Sequence, residues 1–417
     1  MKILAVGIGQ CGCNIADEFY GINNYAKSIF NRRIEILTDA FAINTDETDL
    51  GGVRYIPKDK HHRIIMGAMR TFGHGVGKIN LDGARIMQEM HPSIIDNIIQ
   101  SKKYHESDAI VVIASGGGGT GSGAIGWMVK GLKERTQKPI IAIIVLPFGY
   151  EERGDTSYAI ANTATCLKMV NKYAHAVFLF DNDRFGRGDI SLSTNIRSMN
   201  QEIVMNFYDL FCAGEEKKRQ FVGTKVIDAG DIGQSLQGIS TLGRGQINLS
   251  AFYSLRKDHF RESAKQSISI AAALDQALNR LSLNVDMQDV RRSLILVCAP
   301  KDIISLTALQ EISSVFQKKS PESVVRIGDY PRRGKDISVS VILSKLTKAD
   351  RLEKIFTKAE GIFNRQEETE LLTAQKIERM YEMSRNLPDL ESLSTSPVST
   401  AGLFDIRSNG HSRDIAA

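Results

Sequence analysis

One stretch of this 417-residue sequence constrains the fold more than any other: residues 116–123 read GGGGTGSG. The stretch follows the apolar run 108–114, which is typical of a fully buried strand, and precedes a segment with helical character. Six glycines in eight residues would cost a purely structural turn a large amount of conformational entropy, so a backbone that wraps an anion explains them better. The pattern predicts a phosphate-binding turn between a buried strand and a helix, although the lysine of a Walker loop is absent.

A second glycine motif stands near the amino terminus. The apolar run 2–8 leads into Gly7-x-Gly9-x-x-Gly12, which matches the dinucleotide fingerprint, and helical spacing follows it. The match alone is weak evidence, because a tight strand-to-helix turn without a ligand has similar sequence requirements. Its combination with the run 116–123 is what favours phosphate binding.

Apolar strands alternate with helices through the first half of the chain. The predicted strands lie at residues 2–8, 34–43, 108–114, 139–146 and 176–180. This alternation predicts an α/β fold with a Rossmann-like parallel sheet, which helices cover on both faces, and with ligands outside the carboxyl ends of the strands. Farther along, a long helix fits residues 198–212, and the glycine-rich segment 223–245 is typical of a hinge-like connection to a second, α+β unit.

Composition excludes several classes of protein. A formal charge of +5 on a 46.1 kDa chain is too weak to indicate nucleic-acid binding. No apolar stretch reaches the roughly 18 residues of a membrane span, and the first residues lack the features of a signal peptide. The five cysteines are odd in number and scattered, which is typical of reduced thiols. We therefore expect a cytoplasmic protein.

The run at 116–123 is also the signature loop of the tubulin/FtsZ superfamily of GTP-binding filament proteins, which this sequence resembles up to about residue 364. Five further motifs carry the resemblance: GQCG at 9–12, NTD at 44–46, GHGVG at 73–77, PFGYE at 147–151 and NDR at 182–184. The archaeal CetZ group is most similar within the superfamily, on the segments VIDAGDI at 226–232, GISTLG at 238–243 and GDYP at 328–331.

The resemblance implies a tubulin-like GTPase that polymerises through head-to-tail protofilaments, which could associate into sheets, with Mg²⁺ held through the nucleotide phosphates. A partner could also bind the tail, while nucleic acid and a membrane span are not expected. The predicted parts are residues 1–194 (GTP-binding domain), 195–222 (connecting helix), 223–364 (C-terminal polymerisation and GTPase-activating domain) and 365–417 (helical extension and a tail disordered from 388). The predicted GTP-binding residues are Gly9, Gln10, Cys11, Gly12, Cys13, Asn14, Asn44, Asp46, Gly75, Val76, Gly77, Gly117, Gly118, Gly119, Thr120, Gly121, Ser122, Glu151, Asn182 and Asn200.

Side-chain chemistry suits several of these roles. The hydroxyls of Thr120 and Ser122 can donate to phosphate, although capping of the following helix is a compatible role. Asn14 and Asn182 can offer amide donors and acceptors to a guanine edge. A solvated position explains Asn200 about as well as a place in the base pocket. Glu151 can accept hydrogen bonds from ribose hydroxyls.

Two positions depart from the FtsZ pattern. The segment EERGD at 151–155 replaces the family's Glu-Gly-x-x-Arg, so that its phosphate-binding arginine is missing and Arg153 is only a possible substitute. Val226 stands where FtsZ carries an asparagine.

Asp228 and Asp231 are the predicted catalytic residues, again by resemblance. In the family this loop enters the next subunit's pocket and orients the attacking water, so the active site exists only between subunits. The alternative is that both are turn and helix-cap carboxylates, as are most aspartates in glycine-rich segments.

Other interpretations remain open at this point. An NAD-dependent oxidoreductase would need an acidic residue about 20 positions beyond the first glycine motif, and Glu35 and Asp39 fit poorly. A scaffold that polymerises without hydrolysis is a third possibility, and within the family either cell-shape control or an FtsZ-like division ring would fit, with cell shape favoured. Metal binding by Cys11 and Cys13 has little support, and His61-His62 in a lysine-rich loop is expected to be solvated.

Overall fold

The computed structural model describes residues 1–28, 31–153, 158–186, 191–248, 259–334 and 336–385. The predicted disorder of residues 388–417 lies outside these ranges. Residues Met1–Ile362 form one compact unit, and the described part of the remainder, residues 363–385, is helical. None of the described helices is both long and apolar enough to cross a membrane.

The described residues contain ten strands and twelve α-helices. The strands are β1 (Ile3–Ile8), β2 (Leu37–Asn44), β3 (Arg63–Ile65), β4 (Ala109–Ser115), β5 (Ile140–Leu146), β6 (Ala176–Asp181), β7 (Gly238–Asn248), β8 (Arg292–Ala299), β9 (Val324–Pro331) and β10 (Asp336–Ser344). The helices are α1 (Gly9–Lys27), α2 (Glu47–Gly51), α3 (Ala68–Thr71), α4 (Asn80–Ile99), α5 (Thr120–Arg135), α6 (Tyr158–Tyr173), α7 (Asn182–Phe185), α8 (Leu192–Ala213), α9 (Ala229–Ser235), α10 (His259–Asn279), α11 (Leu306–Lys319) and α12 (Asp350–Arg385).

All ten strands belong to one sheet, in the order β3-β2-β1-β4-β5-β6-β7-β10-β8-β9. Every pair from β3 to β7 is parallel, whereas β10 runs antiparallel to both of its neighbours. The predicted α/β fold with a parallel N-terminal sheet is confirmed. The carboxyl ends of β1, β2, β4, β5 and β6 therefore share one edge of the sheet, as expected for parallel strands.

Apolar side chains that point alternately to the two faces of the buried strands form a hydrophobic core on each face of the sheet. In β1, Ile3 and Ala5 pack on one face with the aromatic cluster that includes Phe207 of α8. Leu4 and Val6 pack on the other face, which α4, α5 and α6 cover. Because successive side chains of a strand point to opposite faces, a strand that is apolar throughout must be covered twice.

The hinge predicted over residues 223–245 was wrong. That segment contains α9 and most of β7, and β7 pairs with both β6 and β10, so it joins the two halves of the sheet. Its glycines allow close packing of α10. A Cβ on Gly243 would lie 2.2 Å from the Ala277 carbonyl oxygen, and one on Gly245 would lie 2.0 Å from that of Ala273. The four sequence-based domain ranges stay a prediction.

Candidate functional site

A cleft of about 320 Å³ lies at the shared carboxyl edge, a volume typical of a small-ligand site. The predicted residues that line it are Gly9, Gln10, Cys11, Asn44, Asp46, Gly75, Val76, Gly77, Gly117, Gly118, Gly119, Thr120, Gly121 and Glu151. Four residues that we did not predict also line it: Ile8, Asp49, Lys78 and Ser115. Five segments that are separated in sequence, at residues 8–11, 44–49, 75–78, 115–121 and 151, therefore meet around one space.

The two glycine motifs are in direct contact at the floor of the cleft. Gly9 has a φ of +71°, which an L side chain rarely adopts, and a Cβ there would lie 2.9 Å from the Gly121 nitrogen. Helix α1 begins at Gly9 and helix α5 at Thr120, so both helices direct their amino-terminal N–H groups toward this floor. Amino-terminal N–H groups and the helix dipole favour an anion. The arrangement is thus suited to a phosphate chain.

Two carboxylates, those of Asp46 and Asp49, line the cleft beside the glycine loops. The Asp49 carboxylate accepts hydrogen bonds from Gln10 Nε2 at 2.8 Å and Asn44 Nδ2 at 3.1 Å. Asp46 caps helix α2 by accepting from the Asp49 backbone N–H at 3.0 Å. Burial raises the pKa of Asp49, and the charge of nearby Asp46 raises it further. Paired carboxylate oxygens are the donors that Mg²⁺ prefers, so these residues fit the expected ion.

Several predicted residues support the loops instead of facing the cleft. A Cβ on Gly12 would lie 2.1 Å from the Ile113 carbonyl oxygen, so this glycine allows α1 to pack on β4. The buried Cys13 thiol lies 3.5 Å and 3.4 Å from the carbonyl oxygens of Gly7 and Ile43, and burial raises its pKa. Ser122 donates its hydroxyl back to the Gly118 carbonyl oxygen.

The three asparagines predicted for the base are also outside the cleft lining. Asn182 begins α7, directly after β6. Asn14 lies on α1 and the buried Asn200 lies on α8. Helix α1 packs against α8 through the rings of Phe19 and Phe207, whose centroids lie 6.1 Å apart. These amides therefore lie on elements that flank the cleft.

Lys78 is the basic residue of the cleft. Arg153 is exposed and does not line it, while Lys78 is the one basic side chain among the described lining residues. Lys78 has a left-handed φ of +67°, and its carbonyl oxygen accepts from Asn162 Nδ2 at 2.9 Å. Sequence reasoning missed Lys78, although it directly follows the motif GHGVG at 73–77.

Asp228 and Asp231 lie at the opposite edge of the sheet. Asp228 caps α9 by accepting from the Asp231 N–H at 2.7 Å, and Asp231 pairs with Arg326 at 2.8 Å. The Gly233 carbonyl oxygen of α9 lies 3.3 Å from the ring of His175, which directly precedes β6. The length of β6, roughly 17 Å, therefore separates this pair from the carboxyl edge. Neither aspartate lines the cleft of its own chain.

The glycine-lined cleft at the carboxyl edge of a parallel sheet defines a nucleotide-binding α/β protein. The model of the tubulin/FtsZ family GTPase domain matches residues 2–187, and that of the C-terminal domain of tubulin-like CetZ matches residues 189–361. The chain belongs to the tubulin/FtsZ family and carries a CetZ-type C-terminal domain.

Individual relatives agree with this assignment. CetZ3 of Haloferax volcanii is 28% identical over 367 residues, which cover 85% of this chain and 90% of that protein. CetZ1 of the same organism is 29% identical over 375 residues, with 85% and 91% covered. The solved GDP-bound CetZ1 monomer has a TM-score of 0.73 at 27% identity, covering 88% of this chain and 100% of that one. A GTPγS-bound CetZ2 protofilament from Haloferax volcanii shares the fold, with a TM-score of 0.74, 24% identity and the same coverage.

The oxidoreductase alternative needed an acidic residue facing the nucleotide. Glu35 instead pairs with Lys27 at 3.0 Å and Lys103 at 2.7 Å. Asp39 contacts His62 at 3.2 Å. Neither carboxylate lines the cleft, so neither of these two candidates can bind the ribose as that alternative requires.

Proposed function

We propose that this protein binds GTP and GDP in the cleft, polymerises head to tail and hydrolyses GTP at the contacts between subunits. The observation that carries the proposal is that the phosphate-binding cleft and the two predicted catalytic aspartates lie on opposite edges of one compact unit. The phosphate cradle occupies the carboxyl edge, and Asp228 and Asp231 occupy the amino edge. The similar CetZ1 is described with bound GDP, which supports a guanine nucleotide.

Different cleft residues would bind the phosphates and the metal ion. Backbone N–H groups at the starts of α1 and α5 hold the phosphates, and Lys78 adds a positive charge. Mg²⁺ bound with the nucleotide would neutralise phosphate charge and polarise the bond to the γ-phosphate, with Asp46 and Asp49 as the oxygen donors on this side. The Glu151 carboxylate also stabilises the PFGYE segment at 147–151, because it accepts a hydrogen bond from the Phe148 N–H at 3.0 Å.

Hydrolysis then depends on a second subunit. Stacking the amino edge of one copy on the carboxyl edge of the next would bring Asp228 and Asp231 to the partner's phosphates. There a carboxylate can orient the attacking water and accept its proton. Val226 is 53% exposed on the same segment and cannot take part in hydrogen bonding through its side chain, so the two carboxylates carry the water positioning. The CetZ2 structure of the same fold is a protofilament, which agrees with such stacking.

We favour cell-shape control in the cytoplasm as the cellular role, which is what the resemblance to the CetZ group implies. A division-ring role is the alternative within the family. A scaffold that assembles without hydrolysis would keep the same cleft, so only the hydrolysis measurements below separate it from this proposal.

Base choice is the first prediction. If Asn14 and Asn182 read a guanine edge, GTP should displace labelled GDP far better than ATP does, and Asn182→Ala should weaken GTP binding without unfolding the protein. Competition binding and circular dichroism check the two parts. Equal displacement by ATP would remove the guanine assignment, and nucleotide extracted from the purified protein gives an independent answer.

The second prediction concerns the charge of Lys78. Lys78→Asn removes the charge while keeping a residue type that tolerates the left-handed φ, so GTP affinity should fall about tenfold and GDP affinity by less. Lys78→Arg keeps the charge and should bind GTP within a few-fold of the original protein. Arg153→Gln is the matched control, because Arg153 does not line the cleft. A larger loss in Arg153→Gln than in Lys78→Asn would reverse the assignment.

A further inference from the structure

His62 lies between two carboxylates, in a loop that the sequence led us to expect as solvated. Its side chain is only 19% exposed. The ring Nδ1 lies 2.8 Å from both Asp59 carboxylate oxygens, while Nε2 lies 3.2 Å from Asp39 Oδ1. A proton on Nδ1 that is donated to Asp59 leaves the Nε2 lone pair directed at Asp39. This use of the second ring nitrogen is how carboxylates orient metal-binding histidines.

Two further hydrogen bonds hold the Asp39 carboxylate in place. Ser101 donates its hydroxyl to Asp39 Oδ2, and the Ala40 N–H donates to Oδ1 at 2.9 Å. Asp39 belongs to strand β2 and is 15% exposed, so the carboxylate stands on a rigid element. Oδ1 therefore remains turned toward His62.

His61 completes a set of three ligands. One ligand atom from each of Asp39, His61 and His62 lies within 4.8 Å of the other two. In a tetrahedral zinc site with bonds of about 2.0–2.1 Å, neighbouring ligand atoms are about 3.4 Å apart. The separation of His62 from Asp39 already matches that value. The buried ring of Phe41 supports both imidazoles, stacking on His62 at 5.6 Å and meeting His61 edge-on at 5.5 Å.

We propose that Asp39, His61 and His62 bind a divalent transition-metal ion of the Zn²⁺ type, with Asp59 orienting the His62 ring. Two imidazole nitrogens and one carboxylate oxygen suit zinc better than Mg²⁺, and water would fill the fourth position. The site differs from the nucleotide cleft, because Asp39 lies five residues before Asn44 on β2. The ion would fix the loop at residues 57–62 to β2, and Asn97 of α4 already donates to the His61 carbonyl oxygen at 2.7 Å.

The competing explanation is a doubly protonated His62 that forms ion pairs with both carboxylates and binds no metal. Zinc titration of the full chain separates the two explanations. Tag-free protein is treated with chelator, saturated with Mg²⁺ at mildly alkaline pH and titrated with Zn²⁺ against a fluorescent zinc chelator. We expect one tight zinc per chain and a higher melting temperature in its presence. Absence of stoichiometric uptake overturns the proposal.

Variants assign the ligands. His62→Ala and Asp39→Asn should weaken zinc binding by at least about a hundredfold, and Asp59→Asn by about 10- to 100-fold, since Asp59 acts through His62. His105→Ala removes an exposed histidine outside the set and should leave binding unchanged, as should Cys11→Ser, which removes the one thiol that is partly exposed. Zinc uptake that is unchanged in His62→Ala contradicts the site.

A second measurement applies if a variant folds poorly. Co²⁺ bound by nitrogen and oxygen ligands in a tetrahedral site absorbs in the visible range. We expect this absorption in the unmodified protein and its loss in His61→Ala, which removes a partly exposed ring and leaves the Asp39–His62–Asp59 contacts intact. Persistence of the full absorption in His61→Ala excludes His61 as a ligand and overturns the three-residue site.

Discussion

Gly118→Asp should abolish GTP binding while the protein remains folded. Gly118 lines the cleft, and a Cβ built there meets no atom within 4 Å, so the substitution adds charge without a steric clash. A carboxylate about 4 Å from a phosphate oxygen is repelled by about 4 kcal/mol per unit charge at an effective dielectric constant of 20, which corresponds to roughly a thousandfold loss of affinity. Titration with labelled GTP measures the loss.

Gly118→Asn is the matched control, because it has nearly the same shape and no charge. We expect it to bind GTP within about tenfold of the original protein. Gly119→Asp is less informative, since a Cβ there would lie 2.8 Å from the Lys78 Cα and the clash would be added to the charge. Equal losses in Gly118→Asp and Gly118→Asn would mean that the phosphates do not approach this part of the loop.

Asp209→Asn should strongly destabilise the protein. The fully buried Asp209 carboxylate pairs with Arg32 at 2.5 Å, with Arg332 at 2.5 Å and with Arg244 at 3.0 Å. Removing its charge leaves the buried Arg32 guanidinium and the partly buried ones of Arg244 and Arg332 without this counter-charge, and breaking a buried pair costs about 3–5 kcal/mol. Chemical denaturation should show this loss in the free energy of unfolding. Asp275→Asn, whose 61%-exposed carboxylate pairs with Lys319, should change it by less than about 1 kcal/mol.

The same cluster predicts a pH dependence. Burial alone would raise the pKa of Asp209, but the guanidinium groups of Arg32, Arg244 and Arg332 hold it well below its ordinary range. A depressed pKa in the folded state means that the stabilisation is complete above the unfolded-state value of about 3.9 and is lost as the pH falls below it. The stability of Asp209→Asn should therefore depend less on pH in the acid range. An unfolding free energy within about 1 kcal/mol of the original at neutral pH would show that the cluster contributes little.

Much of the N-terminal half was predictable because its signals are local. Strand β4 is apolar from Ala109 to Ala114, and the glycines after it form a turn before α5. Such a turn can be predicted from about ten neighbouring residues, without knowledge of any distant contact. The alternation of apolar strands and helices then predicts the parallel sheet and the edge that carries the cleft.

Features that depend on distant contacts were missed or misread. Gly243 and Gly245 look like turn residues in the sequence, yet each serves the packing of a helix about 30 residues away. Asp49 joins the cleft only because Gln10 and Asn44 both donate to it. The spacing Asp46-x-x-Asp49 was the one local signal, since an acidic residue three positions after a helix cap is common. The position of Lys78 directly after the motif GHGVG was its local signal, but that its side chain lines the cleft follows only from the folded structure.

If hydrolysis requires two subunits, GTPase activity per molecule must depend on protein concentration, and measuring that dependence is the most direct test. We expect negligible specific activity at low concentration and a rise above the threshold at which sedimentation detects polymer. Asp231→Asn should bind GTP and assemble but hydrolyse it about a hundredfold more slowly. Arg326→Gln, which breaks the Asp231 ion pair but keeps the carboxylate, should stay within a few-fold of the original protein. A flat specific activity down to clearly monomeric concentrations would contradict an active site shared between subunits.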